Sequence, residues 1–118
     1  MPLRKRRTKI LVEPSTRPLR PPDELVRLYL RAQNLEQMFK VDEAIPLYEE
    51  AVAARFDAAG PYDRLIAIYH ERESYADIAR IASAAIANVR TFDDKRAWYE
   101  DMRAGAEGTA QDKRGAEF

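Results

Sequence analysis

Hydrophobic positions between residues 23 and 104 recur every three or four residues, the spacing that places side chains on one face of an α-helix. No part of this region alternates with a period of two, so we expect no β-sheet in it. Five such segments follow one another, and the sequence therefore predicts an all-α domain of five helices. The first segment shows the pattern most plainly, with Leu25, Leu28, Ala32, Leu35 and Phe39 on one stripe.

Residues that begin or end helices separate these segments. Pro22 and Pro61 suit a first helical turn, and Asp42 is the expected N-cap of the second helix. A serine or threonine followed three residues later by aspartate predicts the starts of the fourth and fifth helices (Ser74 with Asp77, Thr91 with Asp94). Gly105 and Gly108 predict the end of the fifth helix, which leaves residues 105–118 as a flexible polar tail.

Residues 1–22 have a different character from the rest of the chain. They contain five of the seven prolines, so we expect an extended arm without a helix. Seven basic residues against one acidic residue give this arm a net charge of +6, whereas residues 23–118 carry −6. The predicted organisation is an arm (1–22), a helical domain (23–104) and a tail (105–118).

The helical domain contains an internal repeat of 34 residues. This offset places Leu28 on Tyr62, Leu35 on Tyr69 and Ala51 on Ala85. A fixed period of this length, with large residues in the first helix and small ones in the second, is typical of stacked helical hairpins. We therefore predict two antiparallel hairpins followed by a C-terminal helix.

At these positions the chain resembles the tetratricopeptide-repeat family. Leu65, Tyr69, Tyr75 and Ala85, within Pro61–Asn88, stand where that family has its signature residues. The first copy has family-like residues at Leu28, Ala32, Leu35, Ala44, Tyr48 and Ala51, whereas the copies depart from the family at Arg31, Phe56, Ile66, Ile78 and Ala82. The resemblance implies an α-solenoid whose fifth helix caps the stack, with Trp98 covering the exposed end. A plain helical bundle is the alternative.

The resemblance also implies a concave groove, lined by the first helix of each hairpin, that binds a peptide. The candidate residues are Tyr29, Gln33, Glu36 and Gln37 in the first hairpin and Asp63, Arg64, Ala67, His70 and Glu71 in the second. The lysines and asparagines with which some members of the family clamp a carboxylate are absent at these positions. A neutral to acidic groove of this kind suits a basic or aromatic segment. Alternatively, these residues form a solvated helix face.

Catalysis has little support in the sequence. The chain has no cysteine and a single histidine, His70, and its neighbour Glu71 points in a different direction on a helix. Neither the His-x-x-x-His spacing of zinc sites nor a glycine-rich phosphate loop occurs. We therefore expect a protein that is not an enzyme and that needs no cofactor or metal.

The basic arm has three interpretations. Its cationic residues, Arg4, Lys5, Arg6, Arg7 and Lys9, could contact the phosphates of nucleic acid, although the arm has no aromatic residue to stack on bases. They could instead contact an acidic protein surface, including that of a neighbouring copy in a homo-oligomer. The third interpretation is a solvated tail without a function.

The function expected from these features is that of a protein–protein adaptor, working as a small subunit or accessory factor of a larger assembly. The alternative is a nucleic-acid-associated accessory protein that uses the arm. No apolar run approaches the length that crosses a membrane, and we expect a cytoplasmic protein. An excess of arginine over lysine is associated with GC-rich bacterial genomes.

Overall fold

The computed structural model describes residues 18–90 and 93–116, apart from the side chains of residues 93, 94 and 112–116. Within these residues the chain forms five α-helices and no strand, as the periodicity predicted: α1 (Pro22–Gln37), α2 (Val41–Ala53), α3 (Gly60–Glu71), α4 (Tyr75–Asn88) and α5 (Asp93–Ala116). None of these helices is both long enough and apolar enough to cross a membrane. The arm residues Arg4, Lys5, Arg6, Arg7 and Lys9 lie outside the described part of the chain.

Each helix packs against the helix that follows it in the chain, which confirms the predicted arrangement of two hairpins and a C-terminal helix. The first hairpin consists of α1 and α2, and the second of α3 and α4, with α5 packed on α4. One hydrophobic cluster extends through both hairpins to the C-terminal helix, from Tyr48 through Leu65 and Ile81 to Tyr99. A second, smaller cluster, formed by Leu25, Ala51, Ala54 and Phe56, closes the first hairpin.

The turns within the hairpins repeat the 34-residue period in their backbone geometry. Phe39 and Glu73 both adopt a left-handed conformation, with φ of 63° and 54°. After α1 the N–H of Lys40 donates to the carbonyl of Leu35, and after α3 the N–H of Ser74 donates to that of Tyr69. In each turn the bond runs from the N–H of one residue to the carbonyl five residues earlier, as in a Schellman motif. Both hairpins therefore turn by the same mechanism at equivalent residues.

The prediction that α5 ends near Gly105, leaving residues 105–118 as a flexible tail, is wrong for residues 105–116, which are helical. A helical glycine costs only about 1 kcal/mol relative to alanine. Burial of Ala106, which is 6% exposed, and contacts of Met102 with the main cluster offset that cost. A Cβ at Gly105 or Gly108 would contact nothing within 4 Å, so both residues face away from the core.

Three further expectations about single residues are wrong. Phe39 was expected on the buried stripe but is 93% exposed, because α1 ends before it and the left-handed turn directs its ring outward. Lys40, and not Asp42, is the N-cap of α2. The hydroxyl of Ser74 donates to the carboxylate of Asp77 at 2.6 Å and makes no bond to the backbone of α4, so the capping box does not form.

The C-terminal helix covers the second hairpin with a different aromatic residue from the one expected. Trp98 is 38% exposed, whereas the adjacent Tyr99 is 1% exposed. The hydroxyl of Tyr99 donates to Oδ1 of Asp63 at 2.7 Å, which joins α5 to α3. The pKa of Tyr99 is raised mainly by burial and, to a smaller extent, by this hydrogen bond to a carboxylate. Tyr99 is therefore the main aromatic anchor of α5.

Tyr99→Ala should destabilise the fold by roughly 3–5 kcal/mol, the usual range for removal of a buried aromatic side chain. Trp98→Ala should cost clearly less, because a large part of the indole is already in contact with solvent. Urea unfolding followed by circular dichroism would compare the two variants. Equal losses would contradict the assignment of Tyr99 as the anchor.

Phe39→Gly should stabilise the protein by about 1 kcal/mol, because glycine adopts positive φ without the steric cost that a Cβ imposes. The exposed phenyl ring contributes little packing that could be lost. Phe39→Ala is the matched control, since alanine keeps the Cβ and should give no such gain. Thermal unfolding of the three proteins tests this, and equal gains in both variants would contradict it.

Candidate interaction groove along α3

Three depressions follow one another across the exposed face of α3. The first lies toward the first hairpin and is lined by Glu36, Val41, Arg64, Ala67, Ile68, Glu71 and Arg72. The second lies toward α5 and is lined by Asp63, Ile66, Ala67, His70, Lys95, Trp98 and Met102. The third lies between the second hairpin and α5, and is lined by His70, Tyr75, Ile78, Asp101, Met102, Gly105, Ala106 and Thr109.

Neighbouring depressions adjoin one another, because they share lining residues. Ala67 belongs to the first and second, and His70 to the second and third. These two residues are three positions apart on α3 and therefore share one face of the helix. We call the combined surface the central groove. It crosses α3 and follows the boundary between α3 and α5.

An ion pair between helices forms the wall of the groove on the side of α1. The guanidinium of Arg64 on α3 donates to both carboxylate oxygens of Glu36 on α1. The hydroxyl of Tyr48 donates to the same carboxylate at 2.7 Å. The bonds from Arg64 are the main reason that the pKa of Glu36 lies below its usual value, with a smaller contribution from Tyr48. This wall is therefore close to neutral.

A second ion pair forms the wall on the side of α5. Nζ of Lys95 lies 2.8 Å from Oδ2 of Asp63, whose other oxygen accepts the hydrogen bond from Tyr99. The same Nζ lies 4.3 Å from the ring centroid of Trp98, within the range of a cation–π contact. Lys95 thus holds the indole at the edge of the groove, where part of the ring stays exposed.

The two walls leave some carboxylates of the groove without a counter-ion. Arg72 is paired with Asp42 at 2.8 Å, so the groove's arginines and its lysine are all engaged with carboxylates. Glu71 and Asp101 make no ion pair within the described residues. The central groove therefore has a net negative charge beside an exposed indole.

Six of the nine residues proposed from the sequence line the central groove: Glu36, Asp63, Arg64, Ala67, His70 and Glu71. The other three do not line it. The ring of Tyr29 lies 6.0 Å from that of Tyr48, and its hydroxyl oxygen accepts a hydrogen bond from the side-chain amide of Gln33 at 2.9 Å. A Cβ on Gly60 would lie 2.5 Å from the same ring, so α1 and α3 approach closely here. Tyr29 and Gln33 therefore contribute to packing between helices, and Gln37 is exposed outside the groove.

The sequence-based candidates omitted every groove residue of α5, among them Lys95, Trp98, Asp101 and Met102. The 34-residue period contains a signal for two of them. Trp98 follows Arg64 and Asp101 follows Ala67 by one period, so one further application of the offset would have placed both in the groove. The pairing of Lys95 with Asp63 leaves no comparable trace in the sequence.

The described residues offer no cluster of three histidine, cysteine or acidic side chains that could hold a metal ion. The chain matches no protein-family model, and comparisons with curated proteins and with solved structures find no match. The central groove thus combines two ion-paired walls, a partly exposed indole and two carboxylates that make no ion pair within the described residues.

The pair of Glu36 and Arg64 should make stability depend on pH in the acid range. The pKa of Glu36 is lower in the folded protein than its usual value of 4.5, so its contribution to stability is complete above about pH 4.5. That contribution is lost as the pH falls through the folded-state pKa. Glu36→Gln should therefore be less stable than the wild type at pH 7 but lose less stability on acidification.

Denaturant unfolding at several pH values between neutral and acid would measure this difference. Glu43→Gln is a suitable control, because Glu43 is exposed and makes no ion pair within the described residues. Its stability should follow the wild-type pH dependence. An unchanged acid sensitivity in Glu36→Gln would show that the ion pair contributes no pH dependence.

Proposed function

We propose that this protein is a non-catalytic protein–protein interaction module, built from hairpins of tetratricopeptide type, whose central groove binds an extended segment of a partner protein. The observation that carries the proposal is that the three depressions adjoin one another across α3. The exposed small residue Ala67, where two of them meet, leaves room for a peptide backbone. Trp98 at the edge supplies the aromatic contact that often dominates binding energy at interfaces.

The ion pairs between the helices that line the groove support this role. Both walls are ion pairs that join different helices, Glu36 with Arg64 and Asp63 with Lys95. A surface that is ordered before binding loses less conformational entropy when the partner binds, so more of the contact energy contributes to affinity. The groove thus favours recognition of a segment by a preformed surface.

The repeat supports the assignment to the tetratricopeptide type. The turns at Phe39 and Glu73 have the same hydrogen bonds and lie one 34-residue period apart. Two hairpins of this type with one additional helix form a short array, and we propose that the protein acts as a small subunit or accessory factor in a larger assembly. Its action in the cytoplasm stays a prediction.

Binding to nucleic acid through the arm is the second candidate function. The net charge of +6 on residues 1–22 is the observation that favours it. Such binding would fall steeply with salt and would not depend on the groove. A variant of the groove therefore separates the two functions.

Ala67→Arg should block the groove, because it places a long cationic side chain where two depressions meet. Ala67 is exposed, so the substitution should leave the fold intact. We expect partner capture from nuclease-treated lysate to fall by about tenfold or more, as for a residue at the centre of an interface. Ala87→Arg, an equal change at an exposed position of α4 outside the groove, should retain the partner.

Equal capture by both variants would rule out the groove as the binding surface. Capture that disappears with nuclease treatment or at high salt, in the wild type as well as the variants, would favour the nucleic-acid function instead. Circular dichroism of both variants would verify that their helices are unchanged.

A further inference from the structure

The residues that line the central groove carry more negative than positive charge. Glu71 lies at the end of α3 and Asp101 on α5, and each lines one of the joined depressions. The positive groups of the groove are already paired with Glu36, Asp42 and Asp63. A cationic segment that also has apolar side chains would therefore complement the groove, by contact with the two carboxylates and with the exposed faces of Trp98 and Met102.

The chain itself contains a segment of this chemistry. Residues 1–17, which lie outside the described part of the chain, include six basic residues and one acidic residue, a net charge of +5. Three consecutive apolar residues, Ile10, Leu11 and Val12, follow the basic run. The rest of the chain has an excess of negative charge, so the attraction is between two parts of one molecule.

The structure fixes the point from which this segment starts. The N–H of Leu19 donates to the carbonyl of Ala54 at 2.8 Å, and Arg20 is paired with Glu24 and Glu50. This point lies at the start of α1, whose 16 residues extend about 24 Å at 1.5 Å per residue. An extended chain covers about 3.3 Å per residue, so Arg7 can reach about 36 Å from Pro18. That reach exceeds the length of α1, near whose other end Glu36 lines the groove.

We infer that residues 1–17 bind in the central groove of their own chain, with the basic run near Glu71 and Asp101 and the apolar residues toward Trp98 and Met102. This inference rests on the proposed function, in that the groove is the binding surface. A tethered segment has an effective concentration in the millimolar range, so weak contacts suffice for occupancy. A partner protein then binds by displacing the arm.

The full-length chain allows a direct test, because it has one tryptophan and no cysteine. Thr8→Cys carries a nitroxide label, which quenches indole fluorescence at short range, and Trp98 reports on the groove. We expect the label to quench roughly half of the emission at low salt and to lose this effect at about 0.5 M NaCl, where screening is strong. The same label at Ser83→Cys, an exposed position on α4, should not quench.

Charge variants test the two carboxylates. In the labelled Thr8→Cys chain, Glu71→Gln with Asp101→Asn should remove most of the quenching. Glu43→Gln with Asp57→Asn removes two other carboxylates that form no ion pair within the described residues and line none of the three depressions, and should leave the quenching unchanged. Equal quenching in the two double variants would overturn the inference.

Dilution distinguishes the chain's own arm from that of a second copy. Quenching within one molecule does not depend on protein concentration, whereas quenching that disappears on dilution would overturn the inference in favour of exchange between copies. An absence of quenching under all conditions would also overturn it. Neither result decides the proposed function, because partner capture by Ala67→Arg and Ala87→Arg is measured separately.

Discussion

Close approach between neighbouring helices is the constraint on which the structure depends. Small buried residues permit it: Ala32 in α1, Ala44 and Ala51 in α2, and Ala82 and Ala85 in α4 are at most 1% exposed. Helices that carry alanine at their contacts pack at shorter distances, so the large residues opposite them fill the remaining space. The hairpins, the stacking of one hairpin on the other and the groove across α3 all follow from this packing.

The two hairpins achieve that packing with different distributions of volume. At equivalent buried positions the first hairpin has Ala44 and Tyr48, whereas the second has Ile78 and Ala82. In α2 the small residue comes first and the large one follows one turn later, whereas in α4 the large residue comes first. Cores tolerate such exchanges when the total volume is conserved. This exchange accounts for the difference between the two copies of the repeat at these positions.

Periodicity predicted the helices and the hairpins, because both depend on which residues share a helix face. The groove candidates came from the resemblance to the tetratricopeptide-repeat family, and their binding of a partner stays a prediction. The errors lie where a contact distant in sequence, or a backbone conformation, decides the outcome. Gly105 was expected to end α5, but packing of Ala106 extends the helix beyond it. Trp98 was expected to cover the end of the stack, whereas Tyr99 is the residue that is buried in the main cluster and bonds to Asp63, 36 residues earlier. Phe39 fits the helical spacing in the sequence, but its own backbone is left-handed, so its side chain does not lie on the buried face.

The two ends of the helical stack are not equivalent within the described part of the chain. At the α1 end, Val26 and Leu30, one helical turn apart, are 42% and 49% exposed. At the other end, the outward positions of α5 include Glu100, Ala104 and Glu107. A helix placed beside α1 would find a ridge of branched aliphatic side chains, whereas one placed beside α5 would meet charge and alanine. Lengthening of the array by duplication of the 34-residue unit is therefore directional: new hairpins are accommodated before α1 and disfavoured after α5.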